Sequence, residues 1–97
     1  MLADESLASQ DRHAPLSERS LSKLRWRCRR GLLENDLFIE RFFARHESRL
    51  TVGQARGMYA LMDLSDNDLM DLLLRRTELQ PEIGTEEVRE VLDMLRA

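Results

Sequence analysis

The stretch Leu33-Glu34-Asn35-Asp36-Leu37-Phe38-Ile39-Glu40-Arg41-Phe42-Phe43-Ala44-Arg45-His46-Glu47, residues 33–47, contains no proline or glycine, and its apolar residues recur at helical spacing. Leu33, Leu37 and either Phe38 or Ile39 begin a broad apolar stripe that continues into the pair Phe42-Phe43. Aromatic rings bury the most surface. This helix is therefore expected to form the centre of a core, with Leu33 and Leu37 aimed inward.

The flanking sequence carries further helix signals on both sides. Upstream, Leu21, Leu24 and Cys28 fall on one narrow stripe, so a helix is predicted from a cap at Ser20 to about Arg29. Gly31 closes it, because a glycine accepts the left-handed backbone that ends many helices. Downstream, Thr51-Val52-Gly53-Gln54 has the form of a capping box and opens a third helix to Met62. Gly53 and Gly57 weaken that helix and imply close packing against a neighbour. Ser65 to Asp68 offers a cap for a fourth helix reaching Arg76. Pro81 and Gly84 mark a loop, and Thr85-Glu86-Glu87 starts a fifth helix with Val88, Val91, Leu92 and Leu95 on one face. No stretch alternates with period two. The fold class expected is all-α, a compact five-helix bundle over residues 20–97. Residues 1–19 carry leucines at no helical spacing, and are expected to be a disordered tail that contributes little to the core.

Ninety-seven residues hold one modest core. A deep substrate pocket is hard to add to it, which argues against a stand-alone enzyme. No apolar run reaches the roughly 18 residues of a membrane span. The start, Met1 to His13, is acidic and resembles neither a secretory leader nor an Arg-rich mitochondrial presequence. The single cysteine, Cys28, fits a reducing compartment, and the bacterial cytoplasm is the expected location. The net charge of -3 hides an asymmetry: residues 1–62 carry 11 Lys/Arg against 8 Asp/Glu, and residues 63–97 carry 4 against 10.

No catalytic residues are expected. His13, His46 and Cys28 have no metal-ligand spacing, and Cys28 lies on an apolar stripe, as an inert buried thiol does. The four glycines are isolated, so there is no phosphate-cradling loop. The densest feature is Lys23-Leu24-Arg25-Trp26-Arg27-Cys28-Arg29-Arg30, with five cations and a tryptophan in eight residues. It reads either as a nucleic-acid contact or as the basic outer face of an amphipathic helix. Trp26 reads either as a contact or as a ring partly buried in a core seam. The acidic balance of the chain (pI near 5.4) and the lack of a recognition helix weigh against nucleic acid. At the junction Arg30-Gly31-Leu32-Leu33-Glu34-Asn35-Asp36, charges bracket a glycine that lets another backbone come close.

The run from Trp26 to Asp36 closely resembles the signature of the succinate dehydrogenase flavinylation factors, Arg-Gly-x-x-Glu with a preceding Arg and aromatic and an Asp two residues after the Glu. Phe42-Phe43, Leu61-Met62 and the Asp66-x-Asp68-Leu69-Met70 segment resemble later parts of that family. The resemblance spans about residues 20–97. Departures are Leu72, where members often carry Trp, the leucines Leu32 and Leu33 inside the motif, and a longer N-terminal extension. The resemblance implies a chaperone-like assembly factor that binds the flavoprotein subunit of succinate dehydrogenase and, by analogy, that of fumarate reductase. The resemblance implies that it promotes covalent FAD attachment there as an assembly factor and not as an enzyme; the FAD is attached to the client, and no cofactor is assigned to this chain. The bond forms between a histidine of the client and the flavin. The partner-binding residues carried over are Arg30, Gly31, Glu34 and Asp36, with Arg29 and Trp26 as weaker candidates. The competing functions are a small nucleic-acid-binding regulator and a generic helical adaptor.

Overall fold

The computed structural model describes Leu7 and residues 10–29 and 33–97. Its helices are α1 (Glu18–Arg27), α2 (Leu33–His46), α3 (Val52–Met62), α4 (Asp66–Leu73) and α5 (Glu86–Arg96), with one 3-10 turn at Glu47–Arg49 between α2 and α3. The all-α, five-helix architecture is the one that the apolar spacing predicts.

The centre of the core is α3, not α2. Eight of its residues are buried: Val52, Gly53, Ala55, Gly57, Met58, Tyr59, Leu61 and Met62. It packs along α5 and α1, while α2 packs against α4 and α5. The reason is Gly57. A Cβ added there would lie 2.5 Å from the carbonyl oxygen of Glu87, so the α3 and α5 backbones are in contact. A helix approached this closely has little face left for solvent. α2 has one buried side, formed by Asn35, Ile39, Phe42 and Phe43, with the two rings meeting edge to face at 5.3 Å.

Burial leaves the ends of α3 short of water, and its first N–H groups are satisfied by protein. The capping box forms as predicted: Gln54 N donates to Thr51 Oγ1 at 3.3 Å and Thr51 N donates to Gln54 Oε1 at 3.1 Å. The next two donors turn to the N-terminal segment. Val52 N donates to the Ala14 carbonyl and Gly53 N to the Arg12 carbonyl, each at 2.9 Å. Arg56 then gathers the carbonyls of Leu7 and Gln10, at 2.8 and 3.1 Å, while pairing with Glu87 at 2.7 Å. Leu7 is buried in the core. Of the stretch expected to be a tail, Leu7 and residues 10–17 are thus tied to the bundle. The rest of that expectation, on residues 1–6, 8 and 9, lies outside the described residues. The segment also moves the start of α1: its cap is Ser17, whose hydroxyl accepts from Ser20 N at 3.1 Å, and Ser20 itself is buried.

α4 is shorter than the charge pattern suggests. Arg75 N donates to Leu72 O at 3.1 Å and Arg76 N to Asp71 O at 2.8 Å, the paired bonds of a Schellman ending. That geometry places Arg75 in the left-handed region, φ 63°, where glycine is preferred. The caps of α4 and α5 are those read from sequence: Ser65 Oγ accepts from Asp68 N and Thr85 Oγ1 from Val88 N, each at 3.2 Å.

Two outcomes follow from these bonds. A chain beginning at Ser17 loses the burial of Leu7 and two caps of α3, and its unfolding free energy should fall by about 2 kcal/mol or more. Denaturant titration checks this, and a change within about 0.5 kcal/mol would mean that the segment merely lies on the surface. Arg75→Gly should raise stability by about 1 kcal/mol, because glycine removes the left-handed strain. A lower melting temperature would contradict the assignment.

Candidate functional site

The C-terminal half of α1 and the first turns of α2 carry the charged run singled out in the sequence. Its cations do different jobs. Arg25 Nη1 is tied to the Glu47 carboxylate at 2.7 and 3.0 Å. Arg27 donates to the last carbonyl of α3, Met62 O, at 2.9 Å, and to Asp63 at 3.0 Å. It thus closes the end of the central helix. Arg29 is exposed and lies over the Trp26 ring, 5.1 Å from its centroid. Two of the five cations are therefore committed to internal acceptors, which weakens the phosphate-binding reading of the run.

Trp26 is 72% exposed, so it does not enter a core seam. Leu37 is 61% exposed and points away from the core, contrary to the expectation that it helps form the inner stripe. The physical reason is the phase of the helix. Counting back from Phe42 at three or four residues reaches Ile39 and then Asn35, and Leu37 stands about 200° from Ile39. Two large apolar side chains are therefore left at the surface, one before the glycine junction and one after it.

Glu34 lies in the first turn of α2 and is exposed, and Asp36 is half-buried. Among the described residues Glu34 has no hydrogen-bond or ion-pair partner. Arg30 and Gly31 lie outside the described residues, as does the turn that Gly31 was expected to make. α1 and α2 frame an open cleft of about 790 Å³, lined among others by Arg25, Trp26, Arg29, Asp36, Glu40 and Phe43. Its α1 wall is cationic and its α2 wall anionic. The structure thus brings Arg29, Asp36 and Trp26 to one cleft, with Glu34 exposed two residues before Asp36.

Asn35, which the sequence reading passed over, is fully buried between the two motif carboxylates Glu34 and Asp36. Its Nδ2 donates to Asp66 O, in the first residue of α4, at 3.0 Å. The amide orientation is set by that bond, since a carbonyl accepts only from the NH₂ end. Its Oδ1 is buried, with no hydrogen-bond partner among the described residues. A stranded acceptor costs about 1–3 kcal/mol, against about 1 kcal/mol returned by one ordinary hydrogen bond. The signal was available in the sequence, because Asn35 holds the core phase of α2.

Cys28 is buried, and no group of three His, Cys, Asp or Glu side chains among the described residues is placed to hold a metal ion. No helix among them is long and apolar enough to cross a membrane.

Residues 22–97 match the family described as flavinator of succinate dehydrogenase. The chain is 51% identical over 76 residues to the FAD assembly factor SdhE of Ralstonia nicotianae, covering 78% of this chain and 80% of that protein. It is 35% identical over 68 residues to the FAD assembly factor SdhE of Legionella pneumophila, covering 70% and 86%. The chain belongs to the succinate dehydrogenase flavinator family. These relatives are named as assembly factors. No solved structure matches the chain. The family match takes in both sides of the cleft and begins after the segment that caps α3.

Proposed function

We propose that this chain binds the flavoprotein subunit of succinate dehydrogenase, before that subunit joins its iron–sulfur partner, and promotes covalent attachment of FAD to it. The flavoprotein of fumarate reductase is a second client of the same surface, and the work is done in the cytoplasm. The observation that carries the reading is Glu34: an exposed carboxylate with no partner among the described residues, inside the Arg-Gly-x-x-Glu motif of a flavinator-family chain whose surface also exposes the apolar side chains Trp26 and Leu37. A stable interface centres on a few aromatic, apolar and arginine anchors around a desolvated contact. Trp26, Arg29 and Leu37 are side chains of that kind.

The chemistry belongs to the client. Its histidine and the flavin hold the atoms that react, and this chain acts by binding one conformation of the client more tightly than the others. The gain is bounded by that difference in affinity. Glu34 and Asp36 offer carboxylates to client cations or backbone donors, Arg29 and Arg30 offer cations to client acids, and Gly31 allows close approach. A small bundle suits this role, since it presents a rigid surface and needs no pocket.

Two substitutions test the reading. Glu34→Ala removes an exposed side chain and should change stability by less than about 1 kcal/mol, and Trp26→Ala likewise. Each should weaken binding of the purified flavoprotein subunit by roughly 2 kcal/mol, about 30-fold. Cells carrying either variant should show reduced covalent flavin fluorescence on the denatured flavoprotein. Normal flavinylation with parent-like binding would remove the surface from consideration. Loss of the fold would make the motif structural.

A further inference from the structure

Asn35 occupies a place where an apolar side chain is expected. It shares the buried side of α2 with Ile39 and Phe42, and it has no exposed surface. A leucine there would continue that side with no polar group to satisfy. Instead one end of the amide is bonded to Asp66 O at the start of α4, and the other end has no partner among the described residues. For the isolated protein this is a poor exchange, because a buried acceptor without a donor costs more than one neutral hydrogen bond returns. An unfavourable local arrangement that the fold does not need points to a gain outside the fold.

The bond has a property that apolar packing lacks, which is direction. Ile39 and Phe42 hold α2 against the core and tolerate small rotations about its axis. A hydrogen bond from a short side chain to a fixed carbonyl does not. The carbonyl is well anchored: α4 is capped by Ser65, and the buried Leu69 and Leu72 hold it to the core. Asn35 stands between Glu34, which is exposed, and Asp36, which lines the cleft. Any rotation of the first turn of α2 moves both carboxylates together.

We propose that Asn35 is a positioning residue for the motif: its bond to Asp66 O fixes the rotation of the first turn of α2 on α4, and so aims Glu34 and Asp36 at the client. This rests on the reading of Glu34 as a client contact. Asn35 touches no client atom and acts through its neighbours.

A double-mutant cycle on the full chain tests it, with affinity for the purified flavoprotein subunit and thermal melting read for each variant. Asn35→Leu keeps the branching at Cγ, is somewhat larger, and removes both the bond and the buried acceptor, so melting should stay at the parent value or rise where the side chain fits. Affinity should fall about 10-fold, a coupling of ordinary size for adjacent residues. In the Glu34→Ala background the same change should cost less than about 2-fold, because the group it aims is gone. Should leucine not fit, Asn35→Ser, which is too short to reach Asp66, carries the same cycle. Parent-like affinity, an equal loss in both backgrounds, or a fall in melting that tracks the loss of affinity would each overturn the proposal. If Glu34→Ala alone leaves affinity unchanged, it is the reading of the surface that fails.

Discussion

The backbone contact between α3 and α5 at Gly57 is the constraint on which the rest of the molecule depends. With no side chain between them, the two helices lie close enough for Ala55, Met58, Val88, Val91 and Leu95 to share one dry core. A helix held this way is buried on most of its circumference, and its end groups lose access to water. The chain answers with protein partners. Thr51, Gln54 and the carbonyls of Arg12 and Ala14 take the donors at one end, and Arg27 takes a carbonyl at the other. The same device recurs at α4, where Arg96 donates to Leu72 O at 2.7 and 2.9 Å. Guanidinium groups suit this task, since they carry several donors on a stem long enough to cross a helix interface.

This use of arginine changes how the charge pattern is read. A run of five cations in eight residues looks like a phosphate-binding surface when only composition is visible. In the fold, Arg25 and Arg27 are bound to Glu47, Asp63 and a helix-end carbonyl. What reaches solvent around Trp26 is a mixed surface, with Arg29 on one wall of the cleft and Asp36 and Glu40 on the other. Alternating signs discriminate among protein partners better than they attract a uniformly anionic polymer.

The helices were legible because their signals are local. The capping box at Thr51, the caps at Ser65 and Thr85 and the apolar face of α5 are each written within a few residues. Features set by distant contacts were not. Nothing near Gln10 announces that its carbonyl will meet Arg56, so residues 10–17 read as a tail. Nothing in Leu-Leu-Leu-Arg-Arg announces a left-handed Arg75, because glycine usually marks that position. The centre of the core was misplaced onto α2 because its rings outweigh the small residues of α3, although small residues are what allow backbones to touch. In the candidate site the motif was legible from Trp26 to Asp36 as a resemblance. The exposure of Leu37 and the burial of Asn35 needed the phase of α2, which Ile39 and Phe42 define and Leu33 and Leu37 obscured.

The molecule is a two-ended bundle. One end is closed by the N-terminal segment over the starts of α3 and α5, and the other carries Trp26, Glu34 and Leu37. We propose that the second end meets the client. Amide hydrogen exchange of the full chain, with and without the purified flavoprotein subunit, tests this most directly. Added protection is expected at the end of α1, Trp26 to Cys28, and over the first turns of α2, Glu34 to Arg41, with little change over residues 10–17 and the first turn of α5. Protection confined to that opposite end, with the motif end exchanging as in the free protein, would contradict it.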